Sequence, residues 1–340
     1  MKFAVLNVVA LSLIGAVAPQ SASAQEPDRQ IMAAGVGSTQ GLIAQDIAKL
    51  GDRCGLPLSV VSSKGALESF FGVRNRRNTQ FGVVDSDLLN YLSAYKSESS
   101  DVRDAVQGMR VMLPLYDAEV HVLAPDNIRT LQDLRGKRIG VGEKDSTAYL
   151  TSQLMFDILR IPVAERVTGT TDEMIELLRQ GEIDALVRVA GAPLAALTDP
   201  RIDDTYHLVP ITDELLRASY KQVTIPANMY PYQRTAVQTV AVKTLLMTYE
   251  YGTNKNAYYN TACKAVADFT NLVVDNIDEL RRTGHPKWKD IDLTEVPKGW
   301  EVGMCVRKGL DPTYKVSCTN TSDNVGNNEY LNLLEQHMKR

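Results

Sequence analysis

Residues 30–42 read Gln30-Ile31-Met32-Ala33-Ala34-Gly35-Val36-Gly37-Ser38-Thr39-Gln40-Gly41-Leu42. An apolar strand pattern over 30–36 ends in glycines and hydroxyls, and a helical pattern follows over 42–53. Working outward, strands are predicted over 57–62 and 80–84, with a helix over 66–73 between them. A helix starting near Ser86 carries Leu88, Leu89 and Leu92 on one face. This alternation predicts βαβ units and an α/β fold with a mostly parallel sheet. Residues 109–115 and 118–124 read as two further strands separated only by Tyr116-Asp117.

The pattern then restarts. A short helix over 131–135, Gly136 and a basic pair lead into a strand over 139–141. A helix over 147–159, a strand over 164–167, a helix over 171–179 and a strand over 183–189 follow, with Thr170-Thr171-Asp172-Glu173 as the cap of the second helix. Residues 238–248 read as a strand re-entering the first sheet, and 256–282 as two helices. Two lobes joined by two crossings are therefore expected, 25–117 with 236–300 forming one and 118–235 the other, and 301–340 forming a C-terminal extension.

The first residues set the compartment. Lys2, an apolar run over 3–17 and Ala22-Ser23-Ala24 before Gln25 form a secretory signal pattern over 1–24, cut after Ala24. The run is shorter than the ~20 apolar residues a membrane helix needs, and no cysteine follows the cut for lipid attachment. A soluble, exported, periplasmic chain is expected. The net charge of −4, from 37 basic and 41 acidic residues, argues against a nucleic-acid partner. Cys54, Cys263, Cys305 and Cys318 are even in number, so disulfides are expected in an oxidising compartment. The turn-prone stretch Lys308-Gly309-Leu310-Asp311-Pro312 favours Cys305 with Cys318, which leaves Cys54 with Cys263. Zinc is disfavoured, since no two cysteines have CxxC spacing and the histidines are scattered.

Four loops follow strands and open helices, where ligands of open α/β sheets bind. They contain Gly37, Ser38 and Thr39; Gly65; Asp85 and Ser86; and Ser146 and Thr147. Each alone reads as a helix cap, but four on two lobes point to a shared cleft. The first loop fails the dinucleotide spacing because position 40 is Gln, so no cofactor is expected. Arg188, near the end of its strand, is the candidate cation for a carboxylate, with a surface ion pair as the alternative. His121 reads as a satisfied strand histidine.

Leu115-Tyr116 with His121-Val122, the run Leu131-Gln132-Asp133-Leu134-Arg135-Gly136-Lys137-Arg138, and Val141-Gly142 leading to Ser146 resemble the TAXI family of TRAP-transporter solute receptors. Phe81-Gly82-Val83-Val84-Asp85-Ser86-Asp87, Gly181-Glu182-Ile183-Asp184-Ala185, Gly191-Ala192-Pro193 and Ile225-Pro226-Ala227-Asn228-Met229-Tyr230 fit the same pattern, in order over about 30–250. The resemblance implies a two-lobed periplasmic-binding-protein fold of type II-like form, with two mixed sheets flanked by helices and a cleft at the hinge. It implies a monomer that hands a small organic anion, such as glutamate or a dicarboxylate, to a sodium-driven membrane partner. Tyr230 falls at a motif position, offering a hydroxyl or packing under the hinge. Asp85 and Asp145 depart from the pattern, standing where it has neutral groups. A carboxylate facing an anion would repel it by a few kcal/mol at about 4 Å.

The expected function is capture of a small polar ligand for a TRAP-type transporter. A ligand sensor acting on a membrane receptor is the alternative. A hydrolase is disfavoured, since no GxSxG, HExxH or Cys–His arrangement stands in a suitable loop.

Overall fold

The computed structural model describes residues 29–253 and 256–318; the signal segment 1–24 and the polar stretch 320–328 lie outside these. The first part of the chain runs β1 (Arg29–Ala33), α1 (Thr39–Arg53), β2 (Leu58–Ser62), α2 (Ala66–Asn75) and β3 (Thr79–Asp85). Then come α3 (Leu88–Tyr95), α4 (Ser100–Gly108) and the long β4 (Met109–Pro125). The middle part holds β5 (Arg138–Gly140), α5 (Thr147–Leu159), β6 (Glu165–Val167), α6 (Thr171–Arg179) and β7 (Ala185–Ala190). It continues through β8 (Tyr206–Leu208), α7 (Glu214–Ser219) and β9 (Lys221–Ile225) to the long β10 (Val237–Tyr249). Helices α8 (Ala257–Asp275), α9 (Ile277–Thr283) and α10 (Met304–Leu310) close the chain.

The strands form a mixed sheet in the order β2-β1-β3-β10-β4-β7-β5-β6, with β8 on β4 and β9 on β10. Parallel pairs β1–β2, β1–β3, β5–β6 and β5–β7 come from the βα units. The α/β class read from the alternation is the class observed. The two expected sheets are continuous, because β4 and β10 each run through both halves. Residues 109–114 of β4 pair with 245–249 of β10 in the first half, while Glu119 to Leu123 pair with β7 in the second.

The sequence reading divided β4 at Tyr116-Asp117, yet neither residue there is a glycine or proline that would turn the chain. The pairing with β10 shifts register beside that point, between Leu245 opposite Pro114 and Lys243 opposite Asp117, without ending the strand. A proline is tolerated at such an irregularity because no ladder bond requires its missing N–H. Period-two alternation places Phe81 and Val83 in one core and Val84 in the other. On β10, Leu246 joins the first core and Leu245 and Met247 the second.

Helix α4 was not anticipated from the sequence. Ser99 caps it by accepting from the Val102 N–H at 3.4 Å, and Val102 and Ala105 are buried beneath it. The cap read at Thr170 is observed with its reciprocal Glu173 contact.

The expected disulfide pairing is corrected: the bonds are Cys54–Cys318 and Cys263–Cys305. The stretch read as a turn is the end of α10, which packs on α8 and sets Cys305 beside Cys263. The chain then runs along α8, where the Tyr314 hydroxyl donates to Asp268 at 2.6 Å and the Val316 N–H to Asn271 at 3.2 Å. That path carries Cys318 to Cys54 at the end of α1. No helix among the described residues is long and apolar enough to cross a membrane.

Candidate functional site

The loops that open α1, α2 and α5 meet at the end of β3. Ser38 caps α1 by accepting from the Gly41 N–H at 3.1 Å, and Ser146 caps α5 by accepting from the Tyr149 N–H at 3.3 Å. Gly37 is exposed, and Thr39 is buried against Gly191, beyond β7. Gly65, which opens α2, lies so close to the other half that a β-carbon there would stand 2.3 Å from the Asp145 carbonyl oxygen. Only glycine permits that approach.

Asp85 sits at the centre of this junction with 1% exposure. Its Oδ2 accepts from Gln40 Nε2 at 3.0 Å and from the Thr147 hydroxyl, and its Oδ1 accepts from the Thr244 hydroxyl at 2.7 Å. Two residues on, Asp87 accepts from the Thr151 hydroxyl at 2.8 Å, one turn further along α5. Burial pushes the Asp85 carboxyl up despite those donors. Burial also pushes Asp87 up to about 7, against the Thr151 hydrogen bond. Apolar packing covers the same contact, where Leu150 and Leu154 of α5 pack into the core with Ala66, Phe70, Leu88 and Leu92. The repulsion expected from Asp85 toward an anion is therefore reduced, since its oxygens are hydrogen-bonded within the fold.

Arg188 presents the opposite situation. It lies on β7 opposite His121, its Nη1 against Gly142, where a β-carbon would stand 2.5 Å from it. Gly142 adopts φ 75°, a conformation only glycine takes easily, and it leaves the guanidinium beside the α5 cap at Ser146. Arg188 Nε is buried without a hydrogen bond, and no carboxylate among the described residues pairs with the group. Burial lowers its pKa, with only the field of exposed Glu143 opposing. An arginine still keeps its proton under these conditions. The ion pair weighed as the alternative for Arg188 is not formed.

Beneath Arg188 lies a closed chain. His121 Nδ1 donates to the Glu119 carbonyl at 2.9 Å, which leaves Nε2 to accept from the Tyr230 hydroxyl at 2.8 Å. The Tyr230 oxygen accepts from the Leu194 N–H at 3.0 Å. Burial pushes His121 down to about 4, and Lys287 and Arg188 add to the effect. Tyr230, at 1% exposure, is thus a packing residue whose hydroxyl holds the loop after β7. Glu119 pairs with Lys287 at 2.5 Å and also accepts from the Ala192 N–H at 2.7 Å.

Ser86 stands apart from the junction. Its hydroxyl accepts from the Lys243 N–H at 3.2 Å and its carbonyl from Trp300 Nε1 at 3.1 Å. Behind it lies a cavity of about 550 Å³ with a cluster of ion pairs on its wall. There Lys221 and Lys243 each pair with both Asp117 and Glu295 at 2.5–2.9 Å. Among the described residues no cluster of His, Cys, Asp or Glu is placed to hold a metal.

A family model for the NMT1-like family matches residues 31–299. The chain belongs to the NMT1-like family. Three solved structures resemble this NMT1-like chain distantly. Tv2483 bound to L-arginine is 12% identical, with 78% of this chain and 92% of that one covered and a TM-score of 0.48. PhnD1 from Prochlorococcus marinus in complex with methylphosphonate is 11% identical over 84% and 96%, with a TM-score of 0.48. The GluR0 ligand-binding core from Nostoc punctiforme in complex with L-glutamate is 14% identical over 77% and 99%, with a TM-score of 0.44. At these scores the likenesses carry no inference about this chain's ligand.

Sequence reasoning missed Gln40, Asp87, Thr151, Thr244, Glu119 and Lys287 as parts of the junction. Only Asp87 and Thr151 left a signal: a carboxylate after β3 and a hydroxyl four residues beyond Thr147. The others come from elements whose meeting only the tertiary fold decides.

Proposed function

We propose that this NMT1-like protein is a periplasmic receptor of the TAXI type. In this reading it captures a small organic anion between its halves, 25–117 with 236–300 and 118–235, and presents it to a TRAP-type transporter. The observation that carries the reading is the unpaired Arg188 guanidinium, its Nε enclosed, beside the α5 N-terminus. A buried charge without a partner is costly, and a ligand carboxylate supplies a bidentate partner in the geometry arginine favours. The free N–H groups at the start of α5 add a favourable field for an anion. Thr39, Gly65, Ser146 and Thr147 border the site, with Gly37 and Ser38 at its rim. Asp85 organises the border from within.

Closure over the ligand is a shift between two arrangements of the halves, and the transporter recognises the closed one. The disulfides fit an exported location. Titration of the mature, oxidised protein with small mono- and dicarboxylates and with amino acids tests the reading. Saturable binding of at least one carboxylate is expected. Failure of all of them overturns it.

A further inference from the structure

A second cavity, of about 540 Å³, opens beside β8 and the start of β10. This lies within the size range of small-molecule pockets. It is bordered by the turn after β4, by β8 and by the loop from β9 to β10, and none of its residues belongs to the junction around Asp85 and Arg188. Three of its residues bear a buried polar atom with no hydrogen bond: Tyr232 (hydroxyl), Gln233 (Oε1) and His207 (Nδ1). Buried polar groups in native proteins are nearly always partnered, so three at one cavity call for a partner outside the chain.

The chemistry of that partner follows from what is already committed. Gln233 Nε2 faces the carbonyls of Ile225, Pro226 and Thr235 at 3.4, 3.0 and 2.8 Å, so its orientation is fixed and its free Oε1 can only accept. Gln233 and Tyr232 are 5% and 7% exposed, so neither group swings into solvent. Asp126 and Asp204 stand exposed at the rim, the former 3.5 Å from His207 Nδ1. Arg234 is the single arginine or lysine of the lining. Tyr232 stacks on Tyr230 with ring centroids 5.9 Å apart, which fixes its ring as a wall. Acceptors, carboxylates and an aromatic face together suit a donor-rich cation.

We propose that this cavity is a second binding site, taking a small organic cation, an amine or guanidine, whose N–H groups reach Gln233 Oε1 and the Tyr232 hydroxyl while Asp126 and Asp204 balance its charge. It is independent of the anion site at Arg188.

The test is calorimetric titration of the mature, oxidised protein with 1,4-diaminobutane and with methylguanidine, and with acetate and methylphosphonate as anionic controls. Saturable binding of a cation is expected, weakened roughly tenfold or more in the Asp126→Asn, Asp204→Asn double variant, as for hydrogen bonds to charged groups. Tyr232→Phe removes an unpartnered hydroxyl, so it should raise the melting temperature of the free protein while weakening cation binding. Arg188→Ala should leave the cation isotherm unchanged. The proposal is overturned if neither cation binds, which would leave water as the only occupant. It is equally overturned if either anion displaces a bound cation, if both rim and Tyr232 variants bind as wild type does, or if Arg188→Ala abolishes cation binding.

Discussion

Asp85 and Arg188 face the same junction and meet burial in opposite ways. Around Asp85 every donor and acceptor is matched, with Gln40 and Thr244 from one half and Thr147 from the other converging on one carboxyl group. At Arg188 a guanidinium is half-buried with its Nε fully enclosed, yet no protein group among the described residues receives its hydrogen bonds. A matched buried network fixes one arrangement of the chain. An unmatched buried charge is instead a standing cost that a ligand can relieve. The first region holds the halves together; the second leaves a position for something else.

Breaking the matched side should cost the most. Asp85→Ala strands the donors of Gln40, Thr147 and Thr244, and should lower unfolding stability by about 3 kcal/mol in urea titrations. A loss below ~1 kcal/mol would mean that these hydrogen bonds do not hold the junction. On the unmatched side, Arg188→Ala should weaken carboxylate binding by about 1.5–3 kcal/mol. The ligand-free stability should stay level or rise, because a costly buried charge has gone.

Titration sharpens the contrast. The folded Asp87 carboxyl, raised to about 7 from an unfolded value near 3.8, binds more protons in the native state across that window. Its contribution to stability is therefore greatest at low pH and declines as pH rises from about 4 to 7, by at most about 1.4 kcal/mol per unit. Neutral His121 acts in reverse. Lowered to about 4 from 6.5, it makes stability fall as pH drops through that interval. Asp87→Asn removes the first effect and keeps the second, so stability of that variant should climb more steeply between pH 4 and 6.5 than wild type does. Parallel pH profiles for the two proteins would contradict the placement of Asp87. The smallest effect is expected from Thr151→Val, about 1 kcal/mol for one hydrogen bond.

The same contrast explains what was legible in the sequence. Periodicity and caps announced α5, α6 and the βα alternation, because these depend on neighbours along the chain. Arg188 was legible as a cation at a strand end. Whether an acid would pair with it was not, because that depends on Asp184 turning to Arg138 at 3.2 Å and on Glu143 standing exposed. Asp85 was visible as an odd carboxylate, but its donors lie 45, 62 and 159 residues away. The cysteine pairing failed for a related reason, since a turn-prone composition at residues 308–312 belongs to a helix end whose direction is set by α8.

Calorimetric titration of wild-type and Arg188→Ala protein with the carboxylate that binds wild type most tightly tests the central claim most directly. The account predicts an affinity ten- to a hundredfold weaker in the variant, with a ligand-free melting temperature no lower than that of wild type. Equal affinities in the two proteins would contradict it.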